Sequence, residues 1–225
     1  MSIVINYKNK LSKNKSVNLI LFVDENYSLS GLKKHISSLE YSFIADLLKS
    51  YDLKKEIINF DINSKKKIIL VSLKKNISSS DAENLGAKFF NILEGQKQKQ
   101  YYVNSDTIPI KLKNFIGHFL HGFKLKSYSF TKYVTKKNKK NITIFVTGKN
   151  IPSNKDKLKF KSIEEGTFYT RDLVSEPGNV LHPDEYAKRL NSLRKDGLKI
   201  TIYDEKKLKK LGMNTLLGVG QGSIR

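Results

Sequence analysis

Short runs of continuous apolar residues, each too brief for a helix, recur along this chain between stretches of helical periodicity, and that alternation constrains the fold more than any other feature. Val17–Val23 and Lys67–Leu73 are rich in Ile, Val, Leu and Phe. Runs of this length read as strands, and continuous apolar character marks strands buried on both faces. Ile3–Tyr7, the stretch near Gln100–Val103 and Asn141–Thr147 read as further strands, with a polar turn between Tyr7 and Val17. Between them, Ile36, Leu39, Phe43, Ile44, Leu47 and Leu48 recur at three- and four-residue steps, which predicts an amphipathic helix over 36–48. Ser80 and Asp81 can cap a second helix that runs through Ala87, Phe90 and Leu93 and stops at Gly95. Leu112, Phe115, Ile116, Phe119, Leu120 and Phe123 define a third. Strands and helices taking turns predict an α/β layer structure with a mostly parallel sheet.

The polar, proline-containing stretch Ile151–Lys157 is the expected boundary, giving an N-terminal α/β domain over 1–150, a linker over 151–157, and a second region over 158–225. There, Phe160, Ile163, Thr167, Thr170 and Val174 line one side of a helix ending before Pro177, and Pro183 opens the next with Tyr186, Ala187, Leu190 and Leu193 as its stripe. Leu198–Tyr203 then reads as a strand, Asp204 to Gly212 as a capped helix, and Thr215–Val219 as another strand.

Charge says less about function than its size suggests. Lys and Arg number 42 against 21 Asp and Glu, a net +21 that attracts polyanions at low salt. Only Arg171, Arg189, Arg194 and Arg225 carry the planar fork that grips phosphates and bases. An excess of Lys, Asn and Ile spread over the whole chain is what compositional bias in the coding sequence produces. The absence of cysteine excludes disulfides, thiolate nucleophiles and cysteine-ligated metals. No apolar run approaches the roughly 20 residues of a membrane helix, and the first residues lack a secretory h-region, so the expected location is the cytoplasm, with no membrane partner.

Candidate chemistry is sparse. The glycines of Gly218–Ser223 follow neither the dinucleotide nor the phosphate-loop spacing and read as backbone freedom at a strand end. His118 and His121 lie three apart on the third helix with no carboxylate or third ligand nearby in sequence, and read as flanking its apolar stripe; His35 and His182 stand alone. The adjacent acids Asp24-Glu25, Glu164-Glu165, Asp184-Glu185 and Asp204-Glu205 diverge on any regular element and read as solvated charges. Tyr101-Tyr102 and Tyr128, Phe130 and Tyr133 stand among lysines, as single-strand nucleic-acid binders arrange them, but core and subunit contacts are the expected use. Neither a serine-hydrolase elbow nor a one-zinc peptidase helix motif occurs. Taken alone, these residues assign no catalytic, metal-binding or substrate-binding position.

One resemblance goes further. Arg171-Asp172-Leu173, Pro177, Asn179 and Pro183, followed by Leu211-Gly212-Met213 and Gly218–Ser223, resemble in order and spacing two signatures of the leucyl aminopeptidase (cytosol aminopeptidase) family. Gly122–Thr135 is similar to a pattern near the end of that family's N-terminal domain, whereas the Gly-Leu-Gly usual after the strand near Val71 is replaced by Ser72–Lys75. The resemblance implies a macro-domain-like α/β sheet domain followed by a catalytic α/β domain with two divalent metals, Zn²⁺ or Mn²⁺. Those metals activate a water and polarise the peptide carbonyl. It also implies peptide substrates, a preference for N-terminal leucine, a role in protein turnover and assembly as a homo-hexamer. The family's metal ligands and catalytic lysine and arginine fall downstream of Ser223, so none maps onto this chain; Arg171, Asp172 and Asn179 read as helix-end and loop-fixing residues. The expectation is the N-terminal part of such an enzyme, a fragment or the product of a truncated gene, inactive alone and poorly soluble where terminal strands leave open edges. The alternative is a non-catalytic module for DNA binding or assembly.

Overall fold

A computed structural model describes residues 2–8, 17–96, 99–111, 113–135 and 141–222. The predicted strands form as β1 (Ser2–Tyr7), β2 (Asn18–Asp24), β4 (Lys66–Leu73), β5 (Gln100–Asn104) and β6 (Asn141–Thr147), with a further strand, β3 (Ile57–Asn63), joined to β4 by a tight turn. They make one sheet of order β1-β6-β5-β2-β4-β3, parallel throughout except for β3, which runs antiparallel to β4. The expected α/β fold with a mostly parallel sheet is therefore observed.

Continuous apolar character in β2 and β4 has the predicted cause. Ile20 and Phe22 of β2, with Ile69, Val71 and Leu73 of β4, face one core, which α2 (Ser79–Leu93) and α3 (Phe115–Lys126) cover. Leu19, Leu21 and Val23, with Ile68 and Leu70, face a second core under α1 (Ser38–Leu48). Alternate residues point to opposite faces, so helices on both sides demand apolar residues at every position. Asn18 is the polar exception at the start of β2: its side chain donates to Gln100 O at 3.0 Å and accepts from Lys67 N at 3.0 Å, tying three strands together. Where β5 ends, the hydroxyl of Thr107 replaces it as acceptor for Phe22 N–H at 2.9 Å.

Several local expectations need correction. In α1, Leu39 and Phe43 are 84% and 44% exposed, so only part of the periodic stripe reaches the core; Ile44 and Leu48 carry the contact. The cap of α2 is Ser78, two residues earlier than Ser80, in a reciprocal box with Asp81 at the third position. That arrangement satisfies two otherwise orphaned backbone donors. Gly95 takes the positive φ of 95° expected after a helix end. Residues 9–16 and Leu112 lie outside the described residues.

The stretch 151–157 is not a connector throughout, because α4 (Asn154–Ser175) begins inside it; Ser153 accepts from Asp156 N at 3.1 Å as a helix cap does. By compactness the chain divides between Phe168 and Tyr169. The second unit contains the end of α4, α5 (Pro183–Ser192), α6 (Glu205–Lys210) and α7 (Asn214–Gly220). Pro183 opens α5, Asp204 caps α6 by accepting from Lys207 N at 2.8 Å, and Gly212 has φ 68°, all as predicted. The two strands expected there are absent: Leu198–Tyr203 is irregular and Thr215–Val219 lies within α7. A strand exists only through a neighbour's backbone, and none of the described residues offers one to these segments. The open strand edges expected at the end of the chain are consequently not observed.

Candidate functional site

Two groups of interacting polar side chains bear on the candidate residues, one in each unit. In the first unit, His118 and His121 project from α3 toward Phe160 of α4, at ring distances of 5.0 Å and 5.3 Å. Gly117 makes this possible, since a Cβ there would sit 2.3 Å from the Phe160 ring. Beside them is a cleft of about 330 Å³ whose lining includes Tyr7, Leu120, His121, Lys157 and Phe160. A carboxylate absent from the sequence neighbourhood is present in space: Glu83 of α2 meets His118 Nδ1 at 2.8 Å. Lys124 pairs with Glu164 at 2.8 Å.

His121 is 6% exposed and its Nδ1 has no hydrogen-bond partner. Burial pushes its pKa below the ordinary histidine value; the Glu83 and Glu164 carboxylates oppose that shift and His118 adds to it. The folded chain thus resists a proton that the unfolded chain accepts below about pH 6.5. Stability should therefore be full above that value and fall as the pH drops through it. Thermal melts from pH 8 to pH 5 should show this decline, and His121→Gln should flatten it relative to the parent.

The acid pairs diverge as expected. Glu164 and Glu165 serve different lysines, Lys124 and Lys161. Asp24 accepts from Asn26 N and Ser28 N in its own turn, and Asp204 caps α6. His35 Nδ1 meets the Asn104 amide at 2.8 Å, and His182 stands at the cap of α5. Tyr101 and Tyr102 are 0% and 8% exposed, within the two cores and closed to a nucleic-acid base. Tyr128 packs on Phe168, and Phe130 on Tyr133.

In the second unit, the first signature spans the end of α4, a tight turn and the start of α5. Val180 N and Leu181 N both donate to Pro177 O at 2.9 Å, which fixes the turn that carries Asn179. Arg189 of α5 reaches back to it, donating to Glu176 and Glu185 at 2.9 Å each, while the Tyr169 hydroxyl donates to Arg189 O at 3.1 Å. The Glu176 side chain is 1% exposed, so Arg189 neutralises a carboxylate withdrawn from water. Periodicity pointed to Pro183 but not to this clamp, for which the only sequence signal was an arginine in a chain otherwise reliant on lysine. Gly218 and Gly220 lie in α7 with open space around them, so they form no anion cradle; Ser223 lies outside the described residues.

Among the described residues no group of three or more His, Asp or Glu side chains is arranged to hold a metal ion. His118 and Glu83 pair with each other, and His121 Nδ1 is closed off in an apolar contact. These donors do not fit a two-metal centre.

Comparison with known proteins reaches both units. Residues 168–225 match the model of the cytosol aminopeptidase family, catalytic domain. Probable cytosol aminopeptidases are similar to this chain: that of Clostridium perfringens is 32% identical over 69% of this chain and 34% of its own length, and that of Bradyrhizobium 42% identical over 46% and 22%. Among solved structures, a mutant of tomato leucine aminopeptidase matches with a TM-score of 0.72 at 17% identity, over 94% of this chain and 46% of that one. A bottromycin maturation enzyme in complex with Mn matches with a TM-score of 0.67 at 14% identity, over 93% and 43%. The class is thus an α/β sheet unit followed by sequence of the cytosol aminopeptidase catalytic domain. Over the part that it spans, the chain belongs to the cytosol aminopeptidase family. It spans about a third or less of the length of the curated relatives quoted, and less than half of the solved ones.

Proposed function

We propose that this chain is the N-terminal portion of a leucyl aminopeptidase, a cytoplasmic metal-dependent hydrolase that releases N-terminal residues, leucine preferentially, from peptides during protein turnover. The observation that carries the reading is the catalytic-domain match over 168–225, which contains both signatures, Arg171–Pro183 and Leu211–Ser223. The sheet-bearing residues up to about 150 would be its N-terminal domain, with α4 leading into the catalytic one. Two divalent ions, Mn²⁺ or Zn²⁺, would supply the Lewis acid and the activated water when bound. Their ligands belong to sequence other than the described residues, so this chain by itself should be inactive. The complete enzyme would be a homo-hexamer.

Leucine-amide hydrolysis in the presence of Mn²⁺ tests the reading. The 225-residue chain should release no leucine, whereas the complete gene product, weighed intact by mass spectrometry, should hydrolyse the amide and lose activity to a chelator. Turnover by the 225-residue chain alone, or chelator-resistant turnover by the complete product, would overturn it.

A further inference from the structure

The cleft between β1, α3 and α4 holds polar groups that the fold leaves unsatisfied. Its walls include Ile5, Tyr7, Leu120 and Phe160, its polar groups include His121 and Lys157, and its volume is about 330 Å³. Apolar clefts of this size with a few convergent polar groups are the usual form of a small-molecule site. His121 is 6% exposed and its Nδ1 is sealed without a hydrogen-bond partner. A buried polar group in that state calls for an explanation. Nε2 is not among the sealed atoms, and His121 lines the cleft, so Nε2 is the nitrogen that meets it. A neutral imidazole carries one proton, and an orphaned buried N–H is the rarer defect, which assigns the proton to Nε2 and makes it a donor into the cleft.

Lys157 is the second unsatisfied group. The other two lysines of the lining face carboxylates, Lys124 with Glu164 at 2.8 Å and Lys161 with Glu165 at 3.7 Å. Lys157 has no such partner among the described residues: its Nζ stands 4.2 Å from the centroid of the Tyr7 ring and 3.4 Å from Asn154 Oδ1. Burial pushes the Tyr7 phenol pKa up to about 12, so the ring stays neutral beneath the ammonium. The larger cleft beside α2, about 610 Å³, is lined by none of the unpartnered buried polar atoms.

We infer that the cleft between β1, α3 and α4 binds a small organic carboxylate with an aromatic or branched apolar body. The carboxylate takes the Lys157 ammonium and accepts from His121 Nε2–H, while the body packs among Ile5, Tyr7, Leu120 and Phe160. One free cation and one neutral donor suit a single negative charge. A compact dianion would instead meet apolar walls with Glu164 and Glu165 beside it, and an uncharged apolar molecule would leave both polar groups unpaired. The inference stands apart from the peptidase reading, since every lining residue belongs to the first unit.

Phenylacetate titrated into the 225-residue chain tests this, read by the Cε1–H proton resonance of His121, one of four histidines, assigned by its loss in His121→Gln. The shift should saturate with a Kd at or below about 1 mM. Phenylacetamide, the same body without the charge, should bind at least about 10-fold more weakly, a contrast that needs no variant. Lys157→Met should weaken phenylacetate at least about 10-fold. Lys155→Met removes the same charge from an exposed position of α4 outside the lining and should change binding less than about 2-fold. Equal binding of acid and amide, equal effects of the two lysine substitutions, or no saturation by about 20 mM would each overturn the inference. Saturation on the 225-residue chain but not on the complete gene product would overturn it too, by showing the cleft to be the seat of another part of that protein.

Discussion

Alanine in place of Gly86 or Gly122 should unfold this protein roughly 6–12 °C earlier than the parent, because the backbones of α2 and α3 touch through these two residues. A Cβ on Gly86 would stand 1.8 Å from the carbonyl oxygen of Phe119, and one on Gly122 would stand 1.9 Å from that of Glu83. The arrangement is reciprocal, with each helix supplying a glycine for the other's backbone. Overpacking a core typically costs about 1–3 kcal/mol, where flexible side chains can yield. Here the obstacle is backbone on both sides, so we expect about 3 kcal/mol for either substitution, converted to the stated shift at about 2–4 °C per kcal/mol for a chain of this size. Once one methyl has pushed the helices apart, the second meets less resistance, and the double variant should fall short of the sum. Thermal melts of the three variants decide this. A loss below about 0.5 kcal/mol for both single variants, the level of an ordinary surface change, would show that the helices do not meet this closely.

Phe119→Ala should be as damaging or more so, at about 3–5 kcal/mol, the range for a large aromatic truncated in a well-packed core. The Phe119 ring is fully buried and lies 5.6 Å from Phe22 edge to face, 5.3 Å from Phe89 and 5.9 Å from Phe115. Removing it takes one side from each of these contacts and leaves a void that rings fixed on a sheet and two helices cannot close. Phe43→Ala is the internal control. Both residues belong to a periodic apolar stripe in the sequence, yet Phe43 is 44% exposed, and its truncation should cost less than about 0.5 kcal/mol. Denaturant titration of the two variants measures the contrast, and equal losses would mean that burial does not separate them.

Phe43 and Phe119 show where one-dimensional reading stops. The spacing of Ile36 to Leu48 is correct as a helix and incorrect as a buried face, because periodicity records which residues share a side but not how much of it a neighbour covers. The strand β3 was missed although Ile58, Phe60 and Ile62 alternate with Asn59 and Asp61, the signature of a half-covered edge strand. Its pairing with β4 is antiparallel in a sheet otherwise parallel, and a rule built on strand-helix alternation passes over it. Glu83 beside His118 was out of reach for a different reason. The two are 35 residues apart and meet because the glycines bring α2 against α3.

The sequence by itself determined the elements of the first unit apart from β3, the two-sided burial of β2 and β4, and the family, since each is written in local spacing and residue type. Tertiary structure alone decided which stripes become core, where glycine is needed for backbone to meet backbone, and that Leu198–Tyr203 and Thr215–Val219 are not strands here. Propensity supplies a preference of a fraction of a kilocalorie per residue, whereas the hydrogen-bonded neighbour that makes a strand and the covering layer that makes a core come from residues distant in sequence.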